Sequence, residues 1–134
     1  MHVDGSCHCG YVTFQAEADP DKTRICHCTD CQQLSGTTFR TVIAVPGDQF
    51  KLLSGEPTIY LKTAESGAKR QQAFCPKCGS SIYATAAGDG PKAYGLRVGT
   101  LRQRGAFVPK RQIWARSAQS WLSGIAALPS TEKQ

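Results

Sequence analysis

No apolar run in this sequence approaches the roughly 20 residues that a membrane-spanning helix needs. The opening residues, Met1-His2-Val3-Asp4-Gly5, carry neither the basic stretch nor the apolar core of a secretory signal. There is no internal repeat, and low-complexity tracts are absent. No Ser-His-Asp arrangement, phosphate-binding glycine loop or His-Glu metal motif is present, so the familiar signatures of hydrolases, nucleotide binders and zinc proteases are excluded. Helical periodicity is scarce as well. These absences lead to the expectation of a soluble, cytoplasmic protein.

What remains is compatible with one small folded unit. The chain has 134 residues, 40% apolar and 19% charged, which fits neither disorder nor a membrane protein. A single domain over residues 1–134 with a modest core is expected, its polar end Ser130–Gln134 frayed. Strands are expected at Tyr11–Ala16, Thr38–Val45, Phe50–Leu53, Thr58–Lys62, Arg70–Phe74, Ser81–Ala84 and Tyr94–Val98, most of them carrying β-branched or aromatic residues between turn formers. Pro46-Gly47-Asp48 and Ser54-Gly55-Glu56-Pro57 read as turns. Helix is expected only from Thr29 to Gly36, capped by Thr29 or Asp30, and from Ser117 to Ser123, burying Trp121 and Leu122. The pattern points to an all-β domain.

Cysteine is the one abundant feature. Seven is an odd number, so any complete disulfide framework leaves one over, and in a reducing compartment such clusters serve metal binding or catalysis. They fall into three groups: Cys7-His8-Cys9, Cys26-His27-Cys28-Thr29-Asp30-Cys31 and Cys75-Pro76-Lys77-Cys78-Gly79. A C-x-x-C pair followed by glycine suits a tight turn that points two sulfurs at one ion. Cys7 and Cys9 supply the other pair if their segment is extended, because residues i and i+2 then share a face. The expected result is a closed, structural zinc site of Cys7, Cys9, Cys75 and Cys78.

Cys26, Cys28 and Cys31 then remain. Three protein ligands leave a position open, which marks a catalytic zinc. His27 or a residue elsewhere could instead complete a second structural site, although a residue between two ligands should point away from the ion. Three thiolates also leave the ion a weak Lewis acid, better suited to holding an incoming thiol than to activating water. Counting seven thiolates and two divalent ions lowers the formal charge of +6 to about +3, a balance that favours an anionic small molecule at least as well as nucleic acid.

Taken together, Gly5-Ser6-Cys7-His8-Cys9-Gly10, Cys26-His27-Cys28-Thr29-Asp30-Cys31, Leu34-Ser35-Gly36 and Phe74-Cys75-Pro76-Lys77-Cys78-Gly79 resemble the glutathione-dependent formaldehyde-activating family, which also includes centromere protein V. The similarity continues through Gly99-Thr100-Leu101, Ile113-Trp114, Trp121 and Leu128-Pro129. The resemblance implies a β-tent of antiparallel sheets with two zinc sites and little helix. It implies a structural zinc on Cys7, Cys9, Cys75 and Cys78, and a catalytic zinc on Cys26, Cys28 and Cys31. The implied activity is that of a carbon–sulfur lyase, run in reverse to join glutathione to formaldehyde as S-hydroxymethylglutathione. Where the family usually carries acidic residues after Gly99-Thr100-Leu101, this chain has Arg102, Gln103 and Arg104, and Gln32-Gln33 replaces a position that is often basic.

Other residues carry weaker signals. Lys77, Lys92, Arg97, Arg102 and Arg104 are candidates for binding carboxylates, with solvated surface charge as the default. Phe39, Tyr83, Trp114 and Trp121 are candidates for a pocket wall, with core packing as the default. His8 and His27 flank ligands and either support a sulfur or lie exposed. Ser35 and Gly36 are positioned to present an amide near the three-cysteine group. Two rival functions follow from the same residues: a zinc-ribbon-like module for nucleic acid or protein, resting on the basic stretch Lys110–Arg116, and a redox sensor that loses its metal on oxidation.

Overall fold

Ten short strands form the framework of this chain in its computed structural model, which describes residues 1–134. In order, they are β1 (His2–Ser6), β2 (Thr13–Glu17), β3 (Arg24–Cys26), β4 (Arg40–Pro46), β5 (Phe50–Ser54), β6 (Thr58–Thr63), β7 (Lys69–Phe74), β8 (Ser81–Ala86), β9 (Ala93–Arg97) and β10 (Arg111–Ile113). The single α-helix, α1, spans Thr29–Ser35. A three-stranded sheet runs β1-β2-β5, and a seven-stranded sheet runs β10-β3-β4-β9-β8-β7-β6. Every pairing is antiparallel except that of β10 with β3. The expected mostly-β, little-helix architecture is what the chain adopts.

Alternation along β4 explains how the larger sheet divides its faces. Ile43 and Val45 point into the core, whereas Arg40 and Val42 point to the opposite, concave face. The core gathers Val3 and Phe14 from the small sheet with Ile43, Ile82 and Leu96 from the large one. Full burial of such side chains contributes about 1.5–3 kcal/mol each. Phe50 extends this core by stacking on Tyr94, ring centroids 4.6 Å apart. Gly5 is required here: a Cβ at that position would lie 2.0 Å from the Phe14 ring.

Several expected boundaries shift. Strand pairing in β2 starts at Thr13 rather than Tyr11, and β4 starts at Arg40 rather than Thr38. β1, β3 and β10 were not expected at all. They are short and largely polar, and the neighbouring strands impose their extended form. α1 is capped by Cys28, whose Sγ accepts the Cys31 amide at 3.2 Å, rather than by Thr29 or Asp30. Gly36 closes the helix at φ 68°. The second expected helix is displaced to a 3-10 segment, Ser120–Ala127. There Leu122 is half-buried and Trp121 is 54% exposed, because adjacent residues cannot share one helical face.

Candidate metal centres

Two sulfur clusters emerge from this frame. Cys7 follows β1 in a turn closed by the Gly10 amide donating to the Cys7 carbonyl at 3.2 Å, with Gly10 at φ 83°. Cys75 follows β7 in a similar turn, the Gly79 amide donating to the Cys75 carbonyl at 2.8 Å, with Gly79 at φ 79°. Both left-handed positions suit glycine. The extended Cys7–Cys9 segment expected from the sequence is therefore a turn, because the Gly10-to-Cys7 bond curls it. The Cys7 and Cys9 sulfurs are 3.6 Å apart, those of Cys9 and Cys75 3.8 Å, and all four including Cys78 lie within 4.8 Å of one another. A tetrahedral zinc with sulfurs at about 2.3 Å separates them by about 3.8 Å. The donor set thus fits one ion. Backbone amides of Val12 and Lys77 donate to Cys7 Sγ and Cys75 Sγ at 3.2 and 3.4 Å.

Cys26, Cys28 and Cys31 form the second cluster, again within 4.8 Å of one another. Cys26 ends β3, directly across the ladder from Arg40. Cys28 caps α1 and Cys31 sits in its first turn, 3.4 Å sulfur to sulfur from Cys26. Neither His27 nor Asp30, which share this segment, joins the cluster. His27 points away and is 2% exposed, its Nε2 2.6 Å from Gln112 Oε1 and its ring edge on Phe39. Asp30 accepts from Lys62 Nζ at 2.7 Å. Hydrogen bonding from Cys31 holds the Cys26 thiol well below its ordinary range, at about 5, against the opposing effect of burial. The same contact, with burial, pushes Cys31 upward, so Cys26 is the first of the pair to ionise.

The three-cysteine cluster borders two hollows, Cys28 alone lining the first and all three residues the second. One, of about 560 Å³, is lined by charges of both signs, Asp30 and Glu65 with Lys62 and Arg116. The other, of about 230 Å³, lies on the concave face of the large sheet. Trp114, held at φ 55°, borders both.

Arg97 departs from the surface role expected of it. It is 9% exposed and faces the smaller hollow, donating through Nη2 to Gln72 Oε1 at 2.8 Å. Burial, then the nearby Arg40 charge, lowers the Arg97 guanidinium to about 10. Arg24, Arg40, Lys62, Arg70 and Gln72 line the same hollow, and no local pattern in the chain marks any of them. The other candidate cations lie elsewhere: Lys77 stacks over Tyr11 at 4.3 Å, Arg102 and Arg104 border an open hollow beside Cys7, and Lys92 is half-buried near Gly47.

His8 is exposed while His27 is buried. Tyr83 belongs to the Phe50–Tyr94 aromatic group. The Gly36 amide is bonded to the Gln32 carbonyl and so lacks the free role expected of it, and the Ser35 hydroxyl donates to the Cys31 carbonyl at 2.6 Å. Gln32 was noted only as a departure. Its Nε2 donates to the His27 and Ser117 carbonyls at 2.8 and 3.0 Å, tying α1 to the C-terminal segment.

Comparisons with known proteins bear on this arrangement. A family model described as "Glutathione-dependent formaldehyde-activating enzyme" matches residues 2–117. A crystal structure of a Rhodobacter sphaeroides protein, a structural-genomics target, superposes with a TM-score of 0.61 at 20% sequence identity. The match covers 84% of this chain and 99% of that one, and at this identity it speaks for the fold alone.

Proposed function

This chain belongs to the glutathione-dependent formaldehyde-activating enzyme family, and on that premise we propose that it is a zinc-dependent carbon–sulfur lyase. It joins a small thiol such as glutathione to an aldehyde such as formaldehyde, and parts them in the reverse direction. The observation that carries this reading is the inequality of the two clusters. Four sulfurs complete a tetrahedral shell, whereas three leave a position open, and neither His27 nor Asp30 joins that cluster.

On this reading, Cys7, Cys9, Cys75 and Cys78 hold a structural zinc, and Cys26, Cys28 and Cys31 hold the catalytic one. A bound Zn²⁺ there supplies a soft cationic centre that favours a thiol in its ionised form near neutral pH. The chain's own groups bind and orient the reactants. The larger hollow presents both signs of charge, which complements a peptide thiol bearing an amine and carboxylates. In the addition, the thiol sulfur bonds to the carbonyl carbon and the thiol proton ends on the carbonyl oxygen. Nothing is oxidised or reduced.

We read the chain as one domain, a reading supported by the core cluster that both sheets supply. A nucleic-acid role draws less support. Within Lys110–Arg116, Lys110 faces Asp21 at 3.7 Å, while Trp114 and Arg116 line the mixed-charge hollow, so the stretch forms no continuous basic surface.

The test is metal analysis of the purified protein combined with proton NMR of glutathione mixed with formaldehyde. Two zinc ions per chain and a faster approach to the adduct equilibrium are expected. An unchanged rate with both metals in place would overturn the assignment.

A further inference from the structure

The seven-stranded sheet curls until Lys62 on β6 meets Asp30 on α1 at 2.7 Å, and its concave face encloses the 230 Å³ cavity beside the three cysteines. Arg24, Arg40, Lys62, Arg70 and Arg97 line that cavity, and no carboxylate does. Asp30 neutralises Lys62, but none of the four arginines has an ion-pair partner. Arg40 and Arg97, 6% and 9% exposed, share one neutral acceptor, Gln72 Oε1, at 3.2 and 2.8 Å. The Nε groups of Arg24 and Arg40 are buried with no partner.

Buried cations without counter-charge are costly, and mutual repulsion adds to the cost. The three-cysteine centre offsets little of it, since three thiolates around a divalent ion carry a net charge of about −1. The cavity therefore holds a surplus of positive charge, in forked donors suited to a planar anion.

We infer that this cavity is the subsite for the electrophile and that the electrophile carries a carboxylate next to its carbonyl, as an α-oxo acid does. This rests on the thiol-addition reading above and narrows its second substrate. An uncharged aldehyde leaves Arg40 and Arg97 without counter-charge. A tripeptide is too large, because the cavity lies below the roughly 300 Å³ at which pockets for drug-sized ligands begin. The two hollows adjoin at Cys28 and Lys62, so a thiol in one and an electrophile in the other would meet at Cys28. The addition is balanced as before: one C–S bond forms, the carbonyl becomes a hydroxyl with the thiol's proton, and the carboxylate is unchanged.

The test uses the zinc-loaded protein with glyoxylate, its unreactive twin glycolate, and formaldehyde. Calorimetry should show glycolate binding, and glycolate should raise the melting temperature. Arg97→Met should weaken glycolate binding at least tenfold while raising the melting temperature of the free protein, because a buried unpaired charge is removed. Arg40→Met is the second variant, and the exposed Arg102→Met should behave as wild type. NMR should show glyoxylate adding to glutathione with a greater acceleration than formaldehyde.

Absence of glycolate binding, or binding unchanged in both arginine variants, would overturn the inference. So would competition by glutathione that disappears with its diester, since the anion would then belong to the thiol. Acceleration with formaldehyde but no glycolate binding overturns the subsite and leaves the lyase reading standing. Arginine-dependent glycolate binding without acceleration of either aldehyde supports the anion site and overturns the lyase reading.

Discussion

Cys7 and Cys75 are continuous with the apolar core, packed among Val3, Val12, Phe14 and Ile82, whereas Cys26, Cys28 and Cys31 open onto a cavity lined by arginine. Sulfur spacing is nearly the same in the two clusters, with neighbouring pairs at 3.6 and 3.8 Å in one and 3.4 Å in the other. The ligand type is identical as well. The contrast lies in the fourth donor and in the surroundings. The four-sulfur set, with Cys7 and Cys75 in the core and Cys9 and Cys78 at the surface, has no position left for a further donor. The three-sulfur set lies beside unpaired cations and leaves a tetrahedral position open.

The sharpest way to break this contrast is to remove one sulfur from each cluster. Cys75→Ser removes a sulfur whose residue is 0% exposed. A structural thiolate zinc site contributes about 10 kcal/mol or more, comparable with the total stability of about 5–15 kcal/mol for a domain. The variant should be unfolded by circular dichroism, and a folded one would show that this cluster is not structural.

Next in size is Ile43→Ala, on the core face of β4. A loss of about 2–5 kcal/mol is expected in denaturant titration, with turnover per folded molecule unchanged. A turnover defect would mean that the two faces of β4 are not as separate as their alternation implies.

Cys28→Ser sharpens the comparison from the other side. Serine is itself a good helix cap, so α1 should persist and stability should change by no more than about 1 kcal/mol. Adduct formation followed by NMR should fall about 100-fold or more. Loss of fold equal to that of Cys75→Ser would erase the distinction.

The smallest expected effect is that of Lys62→Met. It breaks the pair with the partly exposed Asp30, which should cost about 1 kcal/mol or less in chemical denaturation. A larger loss would mean that this contact, and not the strand ladder, holds the sheet's curl.

The cysteine clusters were legible in the sequence because much of their geometry is local. Cys75-Pro76-Lys77-Cys78-Gly79 encodes its own turn, and Cys28 and Cys31 are fixed by a single helical turn. The β4, β5, β6 and β9 strands showed in their apolar and aromatic residues. The arginine cavity was not legible. Arg24, Arg40, Arg70 and Arg97 come from four strands and meet only through register, with Cys26 opposite Arg40 and Val42 opposite Arg97. Nothing around Arg97 in the chain distinguishes it from Arg102, which faces outward. β1 and β10 hid for a related reason: their polar residues become strands only because β2 and β3 are there to pair with.

Sulfur and metal X-ray absorption on the zinc-loaded protein, before and after addition of glutathione, tests the division of roles most directly. The account predicts one zinc with four sulfur neighbours throughout, and a second whose shell changes from three sulfurs and one lighter atom to four sulfurs when glutathione is added. Four sulfurs around both ions from the start, or a second shell that glutathione leaves untouched, would contradict it.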